Sequence, residues 1–190
     1  MLAQRKIALV FIGLGGNSES SISRQAELLR RNAAHLAALG CSIVSASPLY
    51  LTAPVGGGRQ PEFVNAVIAV RSALPPSRLL RAAKALERAA GRRKGRRNGP
   101  RPIDIDILDY GGRTIGLSTA YWRSPLTLPH PELHRRRFVL VPLMDVAPKW
   151  QHPVFDRTVQ QLLAKLPAVP GAVQRILDSS WISCDDIKQD

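Results

Sequence analysis

The chain has 190 residues, 45% of them hydrophobic and 22% charged, which suits one soluble domain, with room for a tail, that can bury a sizeable core. Lysine and arginine outnumber aspartate and glutamate 27 to 14, so the net charge is +13 and anionic partners are expected: nucleic acid, nucleotide or acidic membrane. No apolar run approaches the ~20 residues of a membrane span, and the short "IALVFIGLGG" reads as a buried strand rather than a secretion signal. The expected compartment is the cytoplasm, and the distant Cys41 and Cys184 read as reduced thiols without metal-ligand spacing.

Taken in order, residues 6–14 predict a buried strand, broken at Gly15, Gly16 and Asn17. Ser18 or Ser20 can cap a helix over 21–39, where Ile22, Ala26, Leu29, Ala33, Leu36 and Leu39 recur at helical spacing, and Gly40 stops it. "CSIVSASPLY" predicts one strand with Pro48 near its end. A loop with three glycines follows, then the β-branched strand "EFVNAVIAVRS". Pro75 and Pro76 open a helix to about Ala90, stopped by Gly91. The arginine-rich loop "GRRKGRRNG" leads into the strand "PIDIDILDYGG". Residues 113–130 read as mostly irregular, 132–148 as beginning helical with Pro142 limiting regularity, and 156–166 as a weak helix. The sequence divides into a domain over 1–166 and a tail over 167–190 that either docks or frays. The order strand, helix, strand, strand, helix, strand predicts an α+β fold: a ferredoxin-like antiparallel sheet with flanking helices and added elements, in a single domain.

The most informative stretch is the D-x-D of that last strand. Residues two apart on a strand share a face, so Asp104 and Asp106 point one way and Ile103, Ile105 and Ile107 the other. Two carboxylates ~7 Å apart repel unless a cation joins them, and hard oxygens of this kind suit Mg²⁺ held jointly with substrate phosphates. The cation-rich loop beside them can neutralise the remaining phosphate oxygens. Phe63 and Asn65 are likewise two apart on a strand and share a face. A Rossmann nucleotide site is not supported, since "GLGGNS" lacks the full glycine spacing, and no P-loop motif occurs.

With these motifs in view the chain resembles the 6-hydroxymethyl-7,8-dihydropterin pyrophosphokinases. The resemblance rests on "GPRPIDIDIL" after the arginine-rich loop, "IGLGGN", "SPLYLTAPVGGGRQPEFVNAVIAV" and "LTLPHPELHRRRFVLVPLMDVAP", in that order and over about residues 7–148. It implies transfer of pyrophosphate from ATP to the pterin hydroxymethyl group with release of AMP, aided by two Mg²⁺ ions on Asp104 and Asp106. It implies Arg92, Arg101, Asp104 and Asp106 as catalytic residues, and Thr52, Pro54, Val55, Phe63, Asn65 and Phe138 as pterin contacts. Glu87, Arg93, Arg101, Ile107, Thr127, His130 and Arg136 would serve ATP. Aligned from Gly91 the loop arginine on phosphate is Arg92; aligned back from Gly99 it is Arg93. Asn98 departs from the family's usual aromatic, and Pro125 stands where an arginine is common. The implied partners are small molecules, with no nucleic acid or membrane, and the implied state is a monomer. The loops "GGGRQ" and "GRRKGRRNG" are expected to act as lids. The competing reading is a nucleic-acid-binding α+β module using the basic loop, which explains the charge but leaves Asp104 and Asp106 without a purpose.

Overall fold

The computed structural model describes residues 6–54, 60–92, 99–117, 126–168 and 172–182. Its centre is a six-stranded sheet in the order β5-β1-β4-β3-β8, with β2 also paired to β4. The strands are β1 (Ala8–Gly16), β2 (Cys41–Ala46), β3 (Leu49–Thr52), β4 (Phe63–Ser72), β5 (Asp104–Tyr110) and β8 (Gln174–Leu177). Every pairing is antiparallel. The first five strands, with α1 (Ile22–Ala38) and α2 (Pro76–Ala89), make the expected ferredoxin-like arrangement, so the fold is α+β.

The sheet is covered on both faces because its strands are apolar on both. Val10, Ile12, Leu14, Ile68, Ile105 and Ile107 pack with Leu29, Leu36, Leu79 and Ala83 of α1 and α2. Phe11, Val67, Ala69 and Leu108 pack with Val139, Leu140 and Leu143 of α3 (Arg137–Val146), and with Val159 and Leu162 of α4 (Val159–Ala164). No helix among the described residues is long and apolar enough to cross a membrane.

Three local expectations change. The cap of α1 is Ser21, whose hydroxyl accepts the Arg24 N–H at 3.2 Å, while the Ser20 hydroxyl accepts from the Arg24 side chain. The predicted single strand over 41–50 is broken at Ser47–Pro48 into β2 and β3, since proline has no N–H for the ladder. The predicted helix over 156–166 begins only at Val159, where Thr158 and Gln161 form a reciprocal capping box. Before it, β6 (Gln151–His152) and β7 (Arg157–Thr158) make a hairpin. Residues 167–190 are docked where described: β8 extends the sheet, and Trp181 and Ile182 are buried in the core. Pro142 is carried inside α3, where it lacks the N–H that would reach the Phe138 carbonyl.

The hairpin carries a buried titratable group. His152 Nδ1 accepts the backbone N–H groups of Val154 and Phe155 at 3.2 and 3.3 Å, and its ring stacks on Phe155. Burial, reinforced by His134 nearby, pushes this imidazole down to about 4. An unfolded histidine titrates near 6.5, so the unfolded chain takes up the proton first as pH falls. The contribution is therefore complete above about pH 6.5 and is lost progressively toward pH 4. Denaturant titrations across this window are expected to show a loss on the order of 2 kcal/mol that His152→Asn abolishes; equal pH slopes in both proteins would contradict it.

Candidate active site

One cavity of about 320 Å³ opens on the α3 face of the sheet and gathers most of the residues singled out by sequence. β5 delivers Asp104 and Asp106, and β4 delivers Phe63 and Asn65. Thr52 arrives from the end of β3, Phe138 from α3, and Arg136 from the residue capping α3. Arg92 follows α2, Arg101 precedes β5, and His130 lies beyond the Leu128–Pro129 bond, which is cis. The alternation read from sequence holds: Asp104 and Asp106 line the cavity while Ile103, Ile105 and Ile107 are buried in the opposite core.

The charged half is a lattice built on Glu87. This carboxylate is only 2% exposed, rather than at the surface as a helix glutamate before a basic loop suggests. It accepts the Ile105 N–H at 2.8 Å, Lys84 Nζ at 2.7 Å and Arg92 Nη1 at 2.6 Å. Arg92 also bridges to Asp104, whose second oxygen takes Arg101 Nη1 at 2.7 Å. Burial raises the Asp104 carboxyl, but Arg101 and Arg92 outweigh it and hold the group below the ordinary carboxylate range. Asp106 stands 3.9 Å from both Lys84 Nζ and His130 Nε2. Burial lowers the His130 imidazole against the pull of Asp106, and Nδ1 accepts the Glu132 N–H at 3.2 Å, so Nε2 carries the proton of the neutral ring.

The aromatic half is joined to this lattice by cations. The Arg101 guanidinium lies 5.5 Å from the Phe63 ring centre and that of Arg136 lies 5.7 Å from Phe138. Asn65 donates to Thr52 Oγ1 at 2.8 Å, which turns its own oxygen toward Gly15. A β-carbon at Gly15 would stand 2.6 Å from that oxygen.

Four of the expected residues that the structure describes do not line the cavity: Pro54, Glu87, Ile107 and Thr127. Glu87 stands behind the wall and acts through Lys84 and Arg92. Val55, Arg93, Asn98, Pro125, Cys184 and most of both expected lids lie outside the described residues. Of the two loop arginines left open by alignment, Arg92 lines the cavity, and Arg93 lies outside the described residues.

Two contributors were not assigned to the site from sequence. Lys84, spaced three from Glu87 on one helix and expected only as its surface ion-pair partner, makes that pair and lines the cavity. Asn17, read as a strand breaker and as the end of the "IGLGGN" motif, is 2% exposed and clasps two segments. Its backbone N–H reaches the Arg101 carbonyl at 3.0 Å, its side-chain oxygen takes the Arg101 N–H at 3.0 Å, and its amide nitrogen donates to the Pro61 carbonyl at 2.9 Å.

The clasp needs β1 to pass very close to the segment before β5. A β-carbon at Gly16 would meet the Pro102 carbonyl oxygen at 2.2 Å and Gln25 Nε2 at 2.4 Å. Gly16→Ala is therefore expected to cost about 1–3 kcal/mol in chemical unfolding, and a loss below about 0.5 kcal/mol would contradict the close approach.

The donor set fits a divalent cation shared with phosphate. No group of three or more His, Cys, Asp or Glu among the described residues could hold a metal alone. Two hard carboxylates on one strand face match an ion that takes its remaining ligands from phosphate and water. The buried Arg101 Nε has no partner among the described residues, as expected of a donor reserved for an anion.

The 7,8-dihydro-6-hydroxymethylpterin-pyrophosphokinase family model matches residues 11–148. A 2-amino-4-hydroxy-6-hydroxymethyldihydropteridine pyrophosphokinase of Methylorubrum extorquens is 38% identical over 167 residues, 87% of this chain and 97% of that protein. The protein of the same name from Pseudomonas aeruginosa is 40% identical over 135 residues, 68% of this chain and 79% of its own. The crystal structure of a Plasmodium falciparum HPPK-DHPS triple mutant aligns with a TM-score of 0.62 and 17% identity, over 86% of this chain. This chain spans only 45% of that longer one, and the likeness bears on fold alone. The reading as a nucleic-acid-binding module finds no support in these relatives. Four ordered motifs, a sheet that gathers them around one cavity, and close relatives over most of the length agree: the chain belongs to the 7,8-dihydro-6-hydroxymethylpterin-pyrophosphokinase family.

Proposed function

We propose that this protein transfers the terminal pyrophosphoryl group of ATP to 6-hydroxymethyl-7,8-dihydropterin, giving the pterin diphosphate and AMP for folate synthesis. The observation that carries the reading is one cavity in which Asp104 and Asp106 meet Lys84, Arg92, Arg101 and Arg136 beside the rings of Phe63 and Phe138. The two rings suit a flat heterocycle. Asn65 suits its amide edge, and Thr52, which accepts from Asn65, keeps its own hydrogen for a ligand acceptor. The enzyme acts as a monomer in the cytoplasm, with 1–166 as its catalytic domain and the tail over 167–190 docked on it through β8, Trp181 and Ile182.

Asp104 and Asp106 would hold two Mg²⁺ ions, which when bound supply charge neutralisation on the triphosphate. The protein's own part is alignment. Arg101 reaches both the carboxylate end and the Phe63 ring, so it ties phosphate position to heterocycle position. The hydroxymethyl oxygen attacks the β-phosphorus, its O–H proton is lost, and the bond to the bridging oxygen of the α-phosphate breaks so that AMP leaves. No side-chain nucleophile is needed, because phosphoryl-type transfer depends on positioning and charge stabilisation. Arg92, Arg101 and Arg136 bind the charge carried by the phosphates, and His130 can donate from Nε2.

The assay is AMP release from ATP with 6-hydroxymethyl-7,8-dihydropterin and Mg²⁺. Wild type is expected to release AMP only with the pterin present. Asp104→Ala and Asp106→Ala are each expected to lower kcat by about 100-fold or more. Absence of AMP with purified wild type would reject the reading.

A further inference from the structure

β3 carries Thr52 into the cavity, and it is held from both sides. Tyr50 and Thr52 pair with Asn65 and Phe63 of β4. On the other edge Leu49, Tyr50 and Leu51 pair with Leu177, Arg175 and Gln174 of β8. The strand begins at the Ser47–Pro48 break, where Ser47 is wholly buried and bonded on every side. Its N–H reaches the Val67 carbonyl at 2.9 Å, and its hydroxyl accepts the Val67 N–H at 3.0 Å and donates to the Pro48 carbonyl at 2.8 Å. Its carbonyl accepts Trp181 Nε1–H at 2.8 Å.

We infer that residues 174–182 strap β3 in place and so position the pterin end of the cavity, with Trp181 as the positioning residue. The inference rests on the assignment of that end to the pterin. A four-residue strand starting beside a proline, paired on one side only, is a fraying edge. With β8 added and Trp181 tying down the break, Thr52 is fixed against Phe63, and the Thr52 hydroxyl fixes the Asn65 amide. Tyr50 extends the same constraint to α3 by donating to Asp145 at 2.7 Å, on the helix that carries Phe138. The sheet order puts β8 at the edge opposite β5. Loosening the strap therefore disturbs Thr52 and Asn65 while leaving the Asp104 and Arg101 end in place.

The test uses the full chain with Trp181→Phe, which keeps a ring and loses the N–H, and Arg175→Pro, which interrupts the β8 ladder. Calorimetric titration with 6-hydroxymethylpterin is expected to show about fivefold weaker binding in each variant, the effect of one lost hydrogen bond. Binding of Mg²⁺ with α,β-methylene ATP is expected to stay within about twofold of wild type. In turnover the same split appears as a raised KM for the pterin with an unchanged KM for ATP. Unchanged pterin affinity, or equal weakening of both ligands, overturns the inference. Hydrogen exchange at the Leu51 and Thr52 amides separates it from the pterin assignment. Faster exchange in both variants, with no pterin binding even by wild type, would reject the assignment and uphold the strap; unchanged exchange would reject the strap.

Discussion

A buried carboxylate organises this molecule. Glu87 receives the Ile105 N–H, Lys84 and Arg92, and each bond fixes a different part of the site. The backbone bond pins β5 against α2 between the two aspartates. The two cation bonds hold Lys84 and Arg92 at the cavity wall instead of in solvent. A carboxylate at this depth is tolerated only because its charge is answered on several sides, and removing it would leave Arg92 and Lys84 without their anchor. The lattice then runs from Arg92 through Asp104 to Arg101, and from Arg101 to the face of Phe63, so charge and aromatic surface are one connected structure.

The rest of the fold brings that structure into register. Gly16 lets β1 run against Pro102, and Asn17 then ties the start of β5 to the chain entering β4. β1 pairs with both β4 and β5, so Asn65 and Asp104 both stand opposite Gly15. The sheet itself therefore sets the distance between Asn65 and the carboxylates. In this structure the guanidiniums of Arg92 and Arg101 rest on Asp104. Those contacts hold both cations at the cavity wall.

What the sequence revealed follows from what strand geometry makes local. The two-residue spacing of Asp104 and Asp106, and of Phe63 and Asn65, gives a shared face without knowledge of the partner strands. The strand and helix order gave the ferredoxin-like α+β plan for the same reason, since each period is written in a short window. The features that escaped are non-local. The break at Ser47–Pro48 is stabilised by Val67 and Trp181, distant in sequence. The hairpin over 151–158 depends on His152 being packed against His134 and Phe155. The depth of Glu87 depends on β5 crossing above α2, which a charged helix segment viewed alone does not disclose.

On the proposed function, the cations of this cavity are arranged to receive a triphosphate, with Glu87 as their fixed base. A crystal structure with Mg²⁺ and α,β-methylene ATP tests it most directly. The account predicts that Arg92 and Arg101 leave Asp104 for phosphate oxygens, that Asp104 and Asp106 turn to metal, and that Glu87 keeps its bond to the Ile105 N–H. A triphosphate bound elsewhere, with Arg92 and Arg101 still on Asp104, would contradict it.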